Sequence, residues 1–180
     1  MNNHNKCKIC KCDSFTKIYK GKIRKGTWGH FIDNANIFKC KNCSVWFLEE
    51  KFCKKTTFYK GNEYRNKLNQ NHSLSDYYKN NDFYQNFIFD VLPIHEFRNK
   101  TVLDFGCGGG SFLDFVNGVA KKCIGIEAST IFKKKLKQKK YEIFSELNDT
   151  LEKYKNKIDI VICSAVVEHL EKPLLDLKKI

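Results

Sequence analysis

A run of glycines between an apolar strand and a helix constrains this chain more than any other feature of its sequence. The run, Asp104-Phe-Gly-Cys-Gly-Gly-Gly110, follows Val102-Leu103 and leads into a predicted helix at 111–117. Glycines permit positive φ and a close approach of the backbone to a ligand, and the helix that follows offers free N–H groups. We therefore expect a ligand-binding loop at the carboxyl end of a strand.

Two familiar glycine motifs do not fit this loop. Ser111 stands where the dinucleotide fingerprint G-x-G-x-x-G requires its third glycine, and the lysine of a P-loop is missing. The pattern that fits is D-x-G-x-G-x-G, with an acidic residue, Glu127, at the end of the next predicted strand. A carboxylate there can accept hydrogen bonds from both hydroxyls of a ribose. Asp104 lies where it can meet an ammonium group of the same ligand.

Two Cys-x-x-Cys pairs, Cys7-Lys-Ile-Cys10 and Cys40-Lys-Asn-Cys43, stand among short β-like runs near the start of the chain. Each pair can present two thiolates to one metal ion, and two pairs complete tetrahedral coordination of Zn²⁺. Nine cysteines and no predicted secretory leader argue against a disulfide framework. We predict a structural zinc ribbon at 1–55 with these four cysteines as ligands, and Cys12 as a competing ligand.

From residue 100 the sequence alternates between short apolar strands and amphipathic helices, which is typical of a parallel sheet covered by helices. The strands are predicted at 101–105, 122–127, 141–144 and 158–163, and the helices at 111–117, 129–139 with Ser129 as cap, 147–155 and from Pro173. The predicted fold class is α/β: a Rossmann-like parallel sheet, incomplete at about four strands, preceded by a small β-rich four-cysteine zinc ribbon and a helical connector.

In these features the sequence resembles the class I S-adenosylmethionine-dependent methyltransferases, over roughly residues 100–175. The resemblance rests on the loop segment 102–110, on Glu127, and on Ile158-Asp-Ile-Val-Ile-Cys-Ser-Ala-Val-Val-Glu-His-Leu170. It implies S-adenosylmethionine as the cofactor, with Glu127 at its ribose and the stretch from Leu147 to Asp149 near its adenine. The residues that it assigns to the methionine part and the surrounding loop are Asp104, Gly106, Gly108 and Gly110.

A zinc ribbon ahead of this fold is similar to the arrangement in sugar C-methyltransferases of deoxysugar pathways and in related enzymes of bacterial surface-glycan clusters. Members of the former group carry a Glu-His pair at the end of the fourth strand, and Glu168 and His169 match it. The resemblance implies that this pair is catalytic, with His169 taking a proton from a small acceptor such as a nucleotide-sugar or glycan. The alternative is that the pair caps the next helix or lines the cofactor site.

The charge of the chain raises a second function. With 33 Lys and Arg against 20 Asp and Glu, the formal net charge is +13, which would suit a zinc-containing rRNA methyltransferase. Only 3 of the 33 basic residues are arginines, however, and phosphate and base recognition favour the planar arginine fork. The second Cys-x-x-Cys pair also departs from the Cys/His pattern of those rRNA enzymes. Nucleic acid is therefore the disfavoured partner.

Length sets the remaining expectations. Residues 56–98 are predicted to form a helical connector or cap, with an amphipathic helix at 75–92 ended by Pro93. Within this helix Phe83, Phe87 and Val91, together with Tyr84, Ile88 and Leu92, follow i, i+4 spacing. Residues 99–180 leave room for only the N-terminal part of a methyltransferase domain, which has seven strands in its family. The fourth strand would then be an open edge for a partner to cover, and an inactive fragment that retains cofactor binding is a third alternative.

No apolar run approaches the ~20 residues of a membrane span, so we expect a cytoplasmic protein.

Overall fold

The computed structural model describes residues 6–24, 30–53, 57–60, 74–139 and 141–180. The chain forms two compact units, one from residues 1–55 together with 171–178, and the other from 56–170 together with 179 and 180. Within the described ranges, no helix is both long enough and apolar enough to cross a membrane.

The regular elements follow one another in the order that the sequence predicted, with strands first and then alternating helices and strands. In chain order they are β1 (Phe15–Arg24), β2 (Phe31–Cys40), β3 (Trp46–Leu48), α1 (Thr57–Lys60), α2 (Leu74–Val91), β4 (Thr101–Phe105), α3 (Ser111–Val116), β5 (Lys122–Ile126), α4 (Lys133–Gln138), β6 (Glu142–Phe144), α5 (Leu147–Tyr154), β7 (Ile160–Ile162) and α6 (Pro173–Leu177). Short 3-10 turns lie at Glu50–Phe52, Ile94–Phe97 and Val167–His169.

The first unit is built on an antiparallel sheet in the order β1-β2-β3. β1 and β2 are longer than the short runs that the sequence indicated, because bulges in their pairing let both strands continue past breaks in the apolar pattern. Three phenylalanines pack together on one face, with ring centroids 4.9 Å apart for Phe15 and Phe47 and 5.8 Å apart for Phe38 and Phe47. These rings supply much of the apolar contact in a small sheet.

The second unit is built on a parallel sheet in the order β6-β5-β4-β7, which confirms the predicted α/β fold with four strands. β4 lies in the interior, so that Leu103 is opposite Ile124 of β5 on one side and Val161 of β7 on the other. Every residue of β4 is buried, as expected for a strand covered on both faces. β7 lies at one edge of this sheet and its residues are half-buried.

Alternate residues of β4 belong to two apolar clusters, one on each face of the sheet. Val102 packs with Leu113 and Val116 of α3 in the first cluster. Leu103 packs with Leu147 and Tyr154 of α5 in the second. The helices that follow β4 and β6 therefore cover opposite faces, which leaves the carboxyl edge of the sheet as the place where its loops meet.

The amphipathic helix predicted at 75–92 is confirmed as α2, and the two i, i+4 series that predicted it differ in burial. The row containing Phe83, Phe87 and Val91 is exposed. In the other series Ile88 and Leu92 pack against the core, next to Phe89, whose ring lies 6.0 Å from Phe112 of α3. Both rows follow helical spacing, so periodicity alone could not tell which one faces the core.

The helix predicted to start at Ser129 begins only at Lys133, so the prediction of Ser129 as its cap is wrong. The N–H of Ser129 donates to Glu127 Oε1 at 2.6 Å, and its Oγ accepts the N–H of Ile131 at 3.4 Å. The backbone after β5 is therefore turned towards the Glu127 carboxylate. The helix starts only after Phe132, whose buried ring packs 5.0 Å from that of Tyr77.

The packing of α2 on the glycine loop yields a stability prediction. A Cβ at Gly109 would lie 2.5 Å from Cδ1 of Tyr77, a ring that is itself held in the core. We expect Gly109→Ala to lower the free energy of unfolding by about 1–3 kcal/mol, as measured by urea denaturation followed by circular dichroism. Gly118→Ala is the matched control, since its Cβ would meet nothing within 4 Å and should cost less than ~0.5 kcal/mol. Equal losses in the two variants would contradict this packing.

Candidate functional site

The glycine loop, the end of β5 and the segment after β7 meet at the carboxyl edge of the parallel sheet, where α/β proteins bind ligands. The N–H groups of Gly106 and Cys107 both donate to the carbonyl of Ile126, at 2.8 and 3.0 Å. Val166 lies so close to Gly106 that a Cβ there would be 2.2 Å from its Cγ2. Glycine is needed at 106 for a second reason, because its φ of +87° lies in the left-handed region. The loop is thus held by hydrogen bonds to the end of β5 and by close packing against Val166.

The carboxylate of Glu127 holds the middle of the loop. The N–H of Gly108 donates to its Oε2 at 2.8 Å, while the N–H of Ser129 donates to its Oε1 at 2.6 Å. Glu127 is only 6% exposed. An ionised carboxylate has about four acceptor positions, so these two bonds do not by themselves saturate it. The arrangement suits a group that holds backbone and also accepts hydrogen bonds from a hydroxylated ligand.

Asp104 is the second buried carboxyl at this edge. No described residue donates a hydrogen bond to its side chain. Burial, and secondly the negative charge of Glu127, raise the pKa of Asp104 to about 7. An ammonium group beside Asp104 would favour its ionised form, so the site is suited to a ligand that carries one. Gly110, with φ of +82°, ends the loop just before α3.

His169 lies in the 3-10 turn that follows β7, three residues after Val166, and it is held by Tyr59 of α1. The hydroxyl of Tyr59 is 2.9 Å from Nδ1 of His169, and the two ring centroids are 4.5 Å apart. The Nε2 atom is 4.0 Å from Oε1 of Glu168, whose side chain is largely exposed. Because Tyr59 occupies Nδ1, the nitrogen left to exchange a proton with a ligand is Nε2.

Tyr59 is a residue that the sequence analysis missed. It precedes His169 by 110 residues, and no local pattern connects the two. A second contact fixes α1 to the same unit, since Nζ of Lys60 lies 2.5 Å from Oε1 of Glu146, just before α5. That ion pair is about half exposed and stabilises little by itself. Together the two contacts hold Tyr59 beside the imidazole.

α2 supplies further residues that the sequence analysis missed. The hydroxyl of Tyr78 donates to the carbonyl of Gly109 at 3.1 Å, and the hydroxyl of Ser111 donates to Oδ1 of Asp82 at 2.6 Å. Tyr78 and Asp82 are four residues apart and so share one side of the helix. That polar i, i+4 pair was the available signal, next to the buried Tyr77. The helix therefore backs the loop with both packing and hydrogen bonds.

Asp149 is exposed in the first turn of α5. The neighbouring Asn148 accepts a hydrogen bond at its Oδ1 from Nζ of Lys179 at 3.0 Å. The position of Asp149 near an adenine stays a prediction. The residues that the structure gathers at the carboxyl edge are Asp104, the glycine loop, Glu127 and the Glu168–His169 pair.

In the first unit, the four predicted metal ligands come together. Their sulfur atoms all lie within 4.8 Å of one another, with 3.5 Å between Cys7 and Cys43 and 3.5 Å between Cys10 and Cys40. A thiolate binds Zn²⁺ at ~2.3 Å, which sets neighbouring sulfurs of a tetrahedral site ~3.8 Å apart. The donor set and its spacing therefore fit Zn²⁺. The group does not include Cys12, whose sulfur accepts the N–H of Ser14 at 3.3 Å.

The two cysteine turns repeat one backbone design. The N–H of Lys11 donates to the carbonyl of Cys7, and that of Ser44 to the carbonyl of Cys40, both at 3.0 Å. Lys11 and Ser44 have nearly equal positive φ values of 61° and 60°. Cys10 belongs to the first turn. Hydrogen bonds from the Asn42 side chain of the second turn, and then from the Cys12 backbone, lower the pKa of Cys10 to about 6. Such donors favour the thiolate, which is the form that binds metals.

Comparison with known proteins agrees with the geometry of the second unit. Residues 75–180, more than half of the chain, match a family model described as a methyltransferase domain. A search of curated proteins found no match. The matched range begins at α2, so it includes the helix that backs the glycine loop. This chain therefore belongs to the methyltransferase-domain family, in which class I members take their methyl group from S-adenosylmethionine.

Proposed function

We propose that this chain binds S-adenosylmethionine at the carboxyl edge of its parallel sheet and directs the methyl group to a small, sugar-linked acceptor. The observation that carries the proposal is the pairing of two buried carboxyls, Asp104 and Glu127, around a glycine loop in which Glu127 accepts the Gly108 N–H. One carboxyl is suited to an ammonium group and the other to ribose hydroxyls. The family match supports methyl transfer in general.

The cofactor supplies an electrophilic methyl group on its sulfonium sulfur. Asp104 would bind the ammonium group, Glu127 the ribose, and the loop containing Gly106, Gly108 and Gly110 the methionine part. The predicted role of Asp149 at the adenine belongs to the same proposal. The chain's contribution here is orientation, because a loop fixed by Ile126 and Glu127 holds its ligand in one position.

On the acceptor side, His169 would take the proton that leaves the acceptor's carbon or hydroxyl. The hydrogen bond between Nδ1 and Tyr59 fixes the imidazole, so that Nε2 carries the lone pair when Nδ1–H donates to the tyrosine oxygen. Glu168, 4.0 Å from Nε2, would stabilise the imidazolium that forms. The Glu-His pair and the preceding four-cysteine unit are the features that favour a sugar-linked acceptor over other small molecules.

The first unit is proposed to hold one structural Zn²⁺ through Cys7, Cys10, Cys40 and Cys43. Four protein ligands leave no open position for a substrate, which argues for a structural role. The sheet beside them packs the rings of Phe15, Phe38 and Phe47 together, and small units of this kind commonly depend on a metal for folding.

Asp104 gives the main test of the cofactor assignment. Titration calorimetry on the zinc-loaded chain should show binding of S-adenosylmethionine or S-adenosylhomocysteine, and Asp104→Asn should weaken it ~10- to 100-fold, since a charged hydrogen bond contributes about 1.5–3 kcal/mol. Asp33→Asn, which alters an exposed carboxylate of the first unit, is the control and should bind normally. Absence of binding by the unmodified chain would refute the proposal.

Asp104→Asn, which should weaken cofactor binding, should increase the stability of the chain without ligand. The folded chain holds the Asp104 proton up to a pH of about 7, whereas the unfolded chain releases it near 3.8. The folded state therefore binds more protons in this window, and stability falls as pH rises from 4 to 7, by at most ~1.4 kcal/mol per pH unit from this group. Without ligand, Asp104→Asn should gain stability relative to the unmodified chain as pH rises; parallel curves would contradict the raised pKa.

The Tyr59–His169 contact can be tested without a known acceptor. With ¹⁵N-labelled histidine at mildly alkaline pH, NMR should show His169 with its proton on Nδ1, assigned by comparison with His169→Ala. Tyr59→Phe keeps the ring but removes the hydroxyl, so we expect the proton to shift towards Nε2. Tyr19→Phe is the control, because its hydroxyl donates to the carbonyl of Lys22 in the first unit. An unchanged tautomer in Tyr59→Phe would disprove the positioning role.

Metal content tests the first unit. The purified chain should contain about one Zn²⁺, measured by plasma mass spectrometry, and removal by a strong chelator should unfold the β1-β2-β3 sheet. Cys40→Ser should lose the metal, whereas Cys12→Ser should retain it, because only Cys40 belongs to the group of close sulfurs. Equal metal loss in both variants would mean that the ligand set is wrong.

A further inference from the structure

The outward row of α2 presents an aromatic surface to solvent. Phe83 is 66% exposed, Tyr84 61%, Phe87 58% and Val91 85%. The three rings contact one another, with centroids 6.0 Å apart for Phe83 and Phe87 and 6.4 Å apart for Tyr84 and Phe87. We call these four residues the outer face of α2. Tyr78 and Asp82 lie on the other side of the helix, and the candidate site makes no use of the outer face.

The outer face is as large as the largest apolar patch on a typical soluble protein, ~300–600 Å². A buried aromatic side chain covers ~150–250 Å², so three rings about 60% exposed present roughly 350 Å², to which Val91 adds. Contiguous apolar patches of this size on soluble proteins commonly mark binding surfaces. A standard interface covers ~800 Å² on each partner, with an apolar centre and a polar rim. The outer face, rimmed by Lys79, Asn86 and Asp90, corresponds to such a centre.

We propose that the outer face of α2 pairs with the same face of a second copy of this chain, with the two helices antiparallel about a two-fold axis. An axis at the level of Gln85 sets Phe83 of each copy opposite Phe87 of the other. Two-fold interfaces require a surface that is complementary to itself, and the outer face meets this requirement at its centre, where Phe83 and Phe87 lie two residues before and two residues after Gln85. The aromatic side chains would then pack between the helices.

The charges on the rim fit the same arrangement. Lys79 and Asp90 are eleven residues apart, so they lie within about 20° of each other on one edge of the helix. Lys79 is six residues before Gln85 and Asp90 is five residues after it. An antiparallel pair therefore brings Lys79 of each copy to within about one residue rise, ~1.5 Å along the axis, of Asp90 of the other. The contact occurs twice, once on each side of the axis.

The same charges argue against nucleic acid as the occupant of this face. α2 carries three aspartates and only one lysine, in a chain whose net charge is +13. A nucleic-acid surface would need basic residues around its aromatic side chains. A second copy instead satisfies both the apolar centre and the two charged positions.

The experiment is sedimentation velocity on the full zinc-loaded chain over a concentration series up to ~100 µM. The 21.1 kDa chain should sediment as two copies at high concentration and dissociate on dilution. The double variant Phe83→Gln, Phe87→Gln should weaken dimerisation at least ~10-fold, and glutamine keeps helix propensity high. Trp46→Gln, which removes a side chain equally exposed at 66% on β3, is the matched control and should not weaken it.

A charge exchange tests the antiparallel register and separates it from non-specific aggregation. Lys79→Asp and Asp90→Lys should each weaken the dimer ~3- to 10-fold, and the double exchange should restore it, because both contacts are re-formed with reversed sign. Circular dichroism checks that every variant is folded. A monomer at all concentrations, a dimer unaffected by loss of both phenylalanines, or a double exchange no better than the single ones would each overturn the proposal.

Discussion

The buried carboxylate of Glu127 is the contact on which the rest of the candidate site depends. It accepts N–H groups from Gly108 and from Ser129, and so joins the loop after β4 to the turn after β5. Buried backbone donors must be paired, and here one side chain pairs two of them. Its negative charge also acts on Asp104, whose pKa is raised by burial and then by Glu127. Two buried carboxyls at one edge are the basis on which we propose a ligand with an ammonium group.

In the first unit, the four cysteine sulfurs lie so close together that their thiolates would repel one another. For Cys43, the backbone N–H of Val45 favours the thiolate, but desolvation and the sulfurs of the neighbouring cysteines outweigh it and raise the pKa of Cys43 to about 12. Cys10, with its Asn42 and Cys12 donors, has a lowered pKa. Thiols this close cannot all ionise without a compensating charge. A divalent cation supplies that charge, which is why metal binding and folding are coupled in such units.

Sequence reasoning succeeded where local patterns and burial act together. β4 was predicted with its final bounds because it is apolar on both faces and is followed directly by the glycine loop. Ser129 failed as a cap because its Oγ accepts the N–H of Ile131 in a turn that precedes the helix, which begins only at Lys133. The Tyr59–His169 hydrogen bond spans 110 residues and depends wholly on tertiary structure. In α2 two series shared helical spacing, and only packing showed that Ile88 and Leu92, not Phe87, face inward.

Helix α2 would link the glycine loop to the proposed interface with a second copy. The side chains of Tyr77, Tyr78 and Asp82 hold the glycine loop, and the outer face of α2 is the surface that we assign to a second copy. A helix is only ~10–12 Å across with its side chains, so the loop of each copy would lie about one helix diameter from the interface. A ligand that orders the loop would also order α2, and linkage requires that the coupling be reciprocal. Any factor by which the cofactor strengthens pairing must therefore equal the factor by which pairing strengthens cofactor binding.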